Sequence, residues 1–344
     1  MPITIKDIAL KAGVSKTAVS FAFNNPERIS TETYEKIMSI AREEGYSPNP
    51  VARTLSNHKT KTIGMVLPQS VSVFFLNPYL SEILRGAGTV CDQEGYSISI
   101  MSPFKGIITQ TILDAAVDGI IILGVSENSE VHNVLRQREM PYVTIDAPVN
   151  SKYVNVGIED EKRAEELMTL LLSNGHRKID ICSLQSISPD LEKEETSGTL
   201  EARFNGISKA VKQAHISKKE QNEFNYIKIN AVLSDAYEEA LKELKKPDRP
   251  TAVFCMADVQ AYGFYKAASE LGLSIPKDLS VVSFDDLPLS NALFPELTSV
   301  HQSGFEKGKT ASKLLFKLIN GKKCDSLTIK SEIIIRNSVA SISK

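Results

Sequence analysis

The sequence predicts an α/β chain: three short N-terminal helices, the first two in a helix-turn-helix layout, ahead of a larger body of two parallel-sheet lobes. Three observations predict it. Residues 3–47 repeat apolar positions at helical spacing and are punctuated by Gly13 and Gly45. From Thr62 onward, short continuous apolar runs alternate with longer amphipathic stretches, as strands buried on both faces and joined by crossover helices do. That alternation restarts after a helix beginning near Asp160, which divides the body into two lobes.

The first helix opens at Thr4, an N-cap residue with Asp7 in the capping-box position. Ile5, Ile8 and Ala9 form its apolar face, and Gly13 supplies the left-handed residue a tight helical turn needs. Ser15 caps the second helix, whose Val19 and Phe23 fall on one side. Its outward positions are Lys16, Thr17, Ser20 and Phe21. A helix presented this way can enter a major groove, where Lys donates to guanine edges or phosphate and hydroxyls serve either. Ser30 caps a third helix that carries Glu32, Thr33, Ile37, Ile40 and Ala41 to Gly45. In the segment Tyr46–Ser56, Pro48 and Pro50 enforce an extended entry, and Asn49 caps a single turn exposing Ala52 and Leu55.

Length and composition fit this plan. A chain of 344 residues predicts two to three domains, and 42% hydrophobic with 24% charged residues is ordinary for a globular protein. The net charge of −2 is unevenly spread: residues 1–61 carry +3 and the remainder −5. A basic headpiece on an acidic body is the footprint of a nucleic-acid binder whose affinity falls with salt. Cys91, Cys182, Cys255 and Cys324 are widely spaced with no CxxC, which predicts free thiols in a reducing cytoplasm. No basic–apolar leader opens the sequence and no apolar run approaches membrane-spanning length, so a cytoplasmic protein without a membrane partner is expected. Phosphate-loop, HExxH, GxSxG and post-strand GxGxxG motifs are missing and the five histidines are scattered, so neither an enzyme nor a cofactor or metal site is expected.

In the first lobe, strands are predicted at Ile63–Pro68, Ser97–Ile100, Asp118–Leu123, Tyr142–Asp146 and Tyr153–Val156, with helices at Pro78–Glu94 and Glu130–Arg138. After a helix at Asp160–Asn174, the second lobe has strands at Lys178–Ser183, Glu223–Ile229, Ala252–Cys255 and Leu279–Phe284. Its helices are predicted at Leu200–Ala214, Ser234–Leu244 and Val259–Leu271. A ligand cleft is expected between the carboxyl ends of the two sheets.

The strings TIKDIALKAGVSKTAVS, ISTETYEKI and GYSPNPVARTLS, followed by NGHRKIDICS, RPTAVFCMAD, IPKDLSVVSFDDLPLS and FPELTSVHQ, resemble the LacI/GalR family of bacterial transcription regulators along almost the whole chain. The resemblance implies a headpiece over 1–47 and a hinge and linker over 48–61. It also implies a periplasmic-binding-protein-like sensor, with a first lobe of 62–158 plus 291–322 and a second of 159–290 plus 323–344. The chain would cross between lobes near 157–161, 287–292 and 320–325. The implied DNA contacts are Thr4, Ser15, Lys16, Thr17, Ser20, Phe21, Asn24, Ser30, Thr33, Asn49, Ala52 and Leu55, with Leu55 matching the residue that wedges into the minor groove.

The effector contacts implied are Phe74, Phe75, Tyr79, Asp146, Arg203, Asp258 and Asp285. Planar polar groups and aromatic faces of this kind suit sugar hydroxyls and C–H surfaces. The chain departs from the family at Phe21, where Arg is frequent, and at Ala147 and Ala257, where Arg and Asn are usual. The expected protein is a homodimeric repressor of carbohydrate-utilisation genes, held on operator DNA and released or tuned by a small sugar-like effector. The alternative is a regulator that binds DNA only with a co-repressor ligand or partner protein.

Overall fold

The structure is a computed structural model that describes residues 3–48, 59–67, 70–102, 107–124, 129–147, 152–184, 197–221 and 223–342. The chain divides into two compact units, Met1–Thr60 and Lys61–Lys344. In the first, α1 (Ile5–Ala12), α2 (Lys16–Asn24) and α3 (Thr31–Glu43) enclose Ile8, Ala12, Val19, Ala22 and Ile37. The expected punctuation is present. Asp7 accepts from the Thr4 N–H at 2.9 Å, Gly13 is left-handed at φ 67°, and Ser15 Oγ accepts from the Ala18 N–H at 3.1 Å.

The second unit holds two six-stranded sheets. The first contains β1 (Thr62–Val66), β2 (Ser97–Met101), β3 (Gly119–Leu123), β4 (Tyr142–Ile145) and β5 (Asn155–Gly157). Helices α4 (Val71–Phe74), α5 (Pro78–Glu94), α6 (Ile108–Asp114) and α7 (Glu130–Gln137) lie between them in sequence. Next come α8 (Asp160–Ser173), β6 (Ile179–Leu184), α9 (Gly198–Gln213), α10 (Lys218–Gln221), β7 (Phe224–Ile229), α11 (Leu233–Leu244) and β8 (Ala252–Cys255). The chain continues with α12 (Asp258–Glu270), β9 (Ser280–Asp285), α13 (Pro288–Ala292), β10 (Thr298–Gln302), α14 (Gly304–Ile319), β11 (Leu327–Thr328) and β12 (Ser331–Ile334).

The sheet orders are β11-β5-β4-β3-β1-β2 and β12-β10-β9-β8-β6-β7, parallel throughout except for β12 against β10. Apolar layers cover both faces of each sheet. In the first, Ile63, Met65 and Ile121 face one core while Val66, Ile120 and Ile122 face another. This is why the strands read as unbroken apolar runs rather than as alternation.

Beyond β9 the structure corrects the expected lobe boundaries. The first crossing, between β5 and α8, falls where expected. The second does not lie near 287–292, because β10 extends the second sheet beside β9; it lies at Ser303. The third lies between β11 and β12 rather than at 320–325, because Leu327–Thr328 pairs with β5. Residues 291–302 therefore belong to the second lobe and 323–328 to the first. The two-residue β11, added to a sheet edge, carries too little periodic signal to be assigned from sequence, and β10 is an inner strand whose sheet is decided by its partners β9 and β12.

α14 returns to the first lobe and packs along α5. The two backbones touch: a Cβ at Gly308 would overlap the Ile83 carbonyl, and one at Gly86 the Phe305 carbonyl. This contact sets Tyr79 of α5 beside Lys307 of α14. Gly308→Ala is expected to destabilise the body by about 1–3 kcal/mol, since neither backbone can yield without shifting a helix. Urea denaturation of the two proteins measures it.

Candidate nucleic-acid interface and effector cleft

On α2, Lys16 and Thr17 are exposed, and Ser20, Phe21 and Asn24 are half-buried. The buried Val19 and Ala22 hold the opposite face. Phe21 lies 5.5 Å below the Arg28 guanidinium, which supports its ring at the surface. Asn24 Nδ2 donates to the Ser20 carbonyl at 3.1 Å and lies 3.3 Å from Ser20 Oγ, so the last turn of α2 arrives ordered. Thr4, Ser15 and Ser30 act as caps; Thr33 supplies the N–H that Ser30 Oγ accepts at 3.2 Å. These four remain exposed or half-buried. Asn49, Ala52 and Leu55 lie outside the described residues.

In the body, the strand-end acids converge. Asp146 follows β4 and Asp285 ends β9, with φ of 60° and 113°. These left-handed turns, which Asp tolerates better than most residues, aim both carboxylates off the strand ends. Tyr79 Oη lies 3.3 Å from Asp146 Oδ2 and 3.3 Å from Gln302 Oε1. Lys307 Nζ lies 2.5 Å from Asp146 Oδ1 and 2.8 Å from Gln302 Oε1. Gln302 Nε2 donates to Asp285 Oδ1 at 2.6 Å. Arg203 on α9 donates through Nε to Asp160 at 2.8 Å and through Nη1 to the Met256 carbonyl at 2.5 Å, with its plane 3.8 Å from the Phe284 ring.

The two lobes meet here. Thr199 Oγ1 of α9 donates to the Asp146 carbonyl at 3.0 Å. A cavity of about 40 Å³ remains, lined by Ala147, Asn155, Asp160, Thr199, Ala202 and Thr328 among others. Burial dominates the electrostatics. It pushes the Asp285 carboxyl up to about 8, helped by the neighbouring Asp258 charge and opposed by Arg203. It raises Asp258 to about 6 against the hydroxyls that hold it, and lifts Asp160 despite Arg203. The Tyr79 phenol is held well above its ordinary range by burial and by Asp146.

Tyr79, Asp146 and Asp285 therefore share one network, with Arg203 close by through Asp160 and Phe284. Asp258 plays another part. It is fully buried, and its oxygens accept from the Leu287 N–H at 2.8 Å, from Ser299 Oγ at 2.7 Å and from Ser290 Oγ. It pins the Asp286–Ser290 loop onto α12, and no oxygen is left for a ligand. Phe74 is fully buried in the first-lobe core and Phe75 is 53% exposed; no described contact joins either to the network. Four members escaped sequence reasoning: Asp160, Gln302, Lys307 and Asn155, whose side chain brackets Ala147 through its N–H at 3.1 Å and its carbonyl at 3.2 Å. Lys307 left a readable signal, a charge set inside the apolar stripe of α14.

A headpiece with one helix face open to a groove, joined in sequence to a two-lobed body with a polar cleft, defines a DNA-binding regulator with a small-molecule sensor. Residues 4–49 match the model for bacterial regulatory proteins of the lacI family, and residues 168–339 that of the periplasmic binding protein-like domain. The HTH-type transcriptional repressor PurR of Vibrio vulnificus (strain CMCP6) is 32% identical over 349 residues, covering 98% of this chain and 99% of that protein. The chain belongs to the LacI family: it is a DNA-binding transcriptional repressor with an effector-binding domain, not an enzyme. In fold, it is similar to the Lac repressor dimer bound to operator and the anti-inducer ONPF (TM-score 0.81, 23% identity, 99% of this chain and 100% of that one). It is similar also to the transcriptional regulator CelR in its cellobiose complex (TM-score 0.69, 21% identity, 98% and 99%). Among the described residues, no helix is long and apolar enough to cross a membrane.

The raised Asp285 carboxyl has a consequence for stability. The folded protein holds its proton up to about pH 8, whereas the unfolded chain releases it near the ordinary 3.8. Its contribution is therefore complete below about pH 4 and lost as pH rises towards 8. Melting temperatures measured from pH 5 to 8 should fall less steeply for Asp285→Asn than for the native protein, by up to one proton's worth of slope.

Proposed function

We propose that this chain represses carbohydrate-utilisation genes in the cytoplasm as a homodimer, and that a sugar-like effector seated between the lobes releases or tunes it. The observation that carries the reading is the convergence of Asp146, Asp285 and the Phe284-stacked Arg203 on the strand ends, beside a seam shared by both lobes. Carboxylates and a planar guanidinium pair with adjacent hydroxyls, and an aromatic face takes the C–H side of a sugar ring. The cellobiose complex of the structurally similar CelR supports the same class of ligand.

DNA recognition falls to Lys16, Thr17, Ser20, Phe21 and Asn24 on α2. Caps Thr4, Ser15 and Ser30, with Thr33, lie where helix N-termini meet phosphate. Asn49, Ala52 and Leu55 belong to the proposed hinge. Phe21 favours a thymine methyl over a guanine edge, because a ring carries no donor fork. The dimer follows from half-site reading, since one headpiece covers half of an operator. Phe294, 99% exposed, and Leu289, 50% exposed, offer an apolar contact on the second lobe. Relief by ligand is the favoured sign, with co-repression the alternative.

A thermal-shift panel of mono- and disaccharides, including cellobiose, tests the effector class. An effector near 100 times its Kd stabilises the body by about 2.7 kcal/mol. A binding sugar should also change anisotropy of a labelled fragment of the chain's own promoter, and a panel with no shift sinks the carbohydrate reading. Phe294→Asp is expected to run as a monomer in light scattering at micromolar concentration and to bind that fragment at least tenfold more weakly. An unchanged dimer would place the interface elsewhere.

A further inference from the structure

Lys307 stands out among the charges of the body. It occupies the apolar stripe of α14, between Gly304 and Gly308, Ala311 and Leu315, and has no exposure at all. A buried ammonium has to be neutralised where it sits. Asp146 of the first lobe does this at 2.5 Å, and Gln302 of the second lobe accepts a further hydrogen bond from the ammonium at 2.8 Å. The Gln302 amide is oriented by this pairing, with Oε1 towards the cation and the Tyr79 phenol and Nε2 towards Asp285. A hydrogen-bonded chain Asp146–Lys307–Gln302–Asp285 thus runs from one sheet end to the other, past the crossing at Ser303. The Thr199 bond to the Asp146 carbonyl closes the same seam from α9. The cavity of about 40 Å³ left between the lobes has room for a few waters, against roughly 300 Å³ or more for a ligand site.

We propose that Lys307 is a built-in clasp: its ammonium holds the two lobes together without a ligand, and an effector has to win Asp146 from it to enter. Lys307 is then a positioning residue that sets the resting state of the sensor. The inference rests on reading the body as effector-gated. It differs from that reading in locating the resting state in one buried cation, paired with Asp146 inside the first lobe and hydrogen-bonded to Gln302 of the second, rather than in the ligand.

The test uses the full-length chain without ligand or DNA, followed by hydrogen–deuterium exchange. In the native protein the seam segments 142–147, 197–203 and 298–305 should be protected. Lys307→Met keeps the length and apolar stem of the side chain but not the charge. It should speed exchange in 197–203 and 298–305 at least tenfold while leaving the strand amides of β1 and β3 unchanged. Gln302→Leu should reproduce the effect, and the double variant should add little, because both remove one clasp. Lys307→Arg should restore part of the protection. Should Lys307→Met fold poorly, the charge-balanced pair Lys307→Met/Asp146→Asn replaces it, with the same expectation. Unchanged exchange in 197–203, or a rise spread evenly through the first-lobe core, would overturn the clasp and leave only a packing role. Operator binding is not the readout. A chain that failed to bind its promoter would refute the regulator reading without touching this result, and the converse also holds.

Discussion

A cation with no exposure has to be met by an anion placed to within a few tenths of an ångström, and much of the body is arranged around meeting it. α14 reaches Lys307 to the seam only because Gly86 and Gly308 let it lie directly on α5. β4 ends in a left-handed turn that presents Asp146, and β10 runs on to Gln302 before the chain crosses. Breaking such a pair by removing one partner costs several kcal/mol, because the remaining charge stays desolvated. The seam therefore couples the position of the helices to the meeting of the lobes.

Charge at the strand ends is divided between the scaffold and the network at the seam. Asp258 gives its oxygens to Leu287, Ser290 and Ser299 and fixes the loop after β9. Asp160 orients Arg203, which is also held by the Met256 carbonyl and stacked on Phe284. Asp146 and Asp285 sit at either end of the connecting network instead. Four carboxylates of the same chemistry thus take different parts, set by which donors their burial brings within reach.

The headpiece was legible almost to the residue. Capping at Thr4, Ser15 and Ser30 and the left-handed Gly13 are local effects, decided within one helical turn. Most strands of the body were equally plain, since residues such as Ile120–Ile122 are buried on both faces and leave no other reading. The late crossings were not legible. β11 and β12 are short, and which sheet Thr298–Gln302 joins is decided by its pairing with β9 and β12 rather than by its own residues. The polar network at the strand ends was half legible. Strand-end acids and Arg203 carried a family pattern, but that pattern does not separate Asp258, which is spent on the fold, from Asp285. Gln302 and Asn155 are amides with no sequence signal of their own.

By itself the sequence determined the class of protein, the three headpiece helices, most strands of two parallel sheets and the chemistry available at their ends. Periodicity, capping and apolar runs act over a few residues, so they survive in a string of letters. Tertiary structure alone decided which lobe received β10 and β11, that two glycines press α5 onto α14, and that a lysine from one helix meets an aspartate 161 positions earlier beside the seam. Those outcomes depend on distances between residues remote in sequence, and only the folded chain sets them.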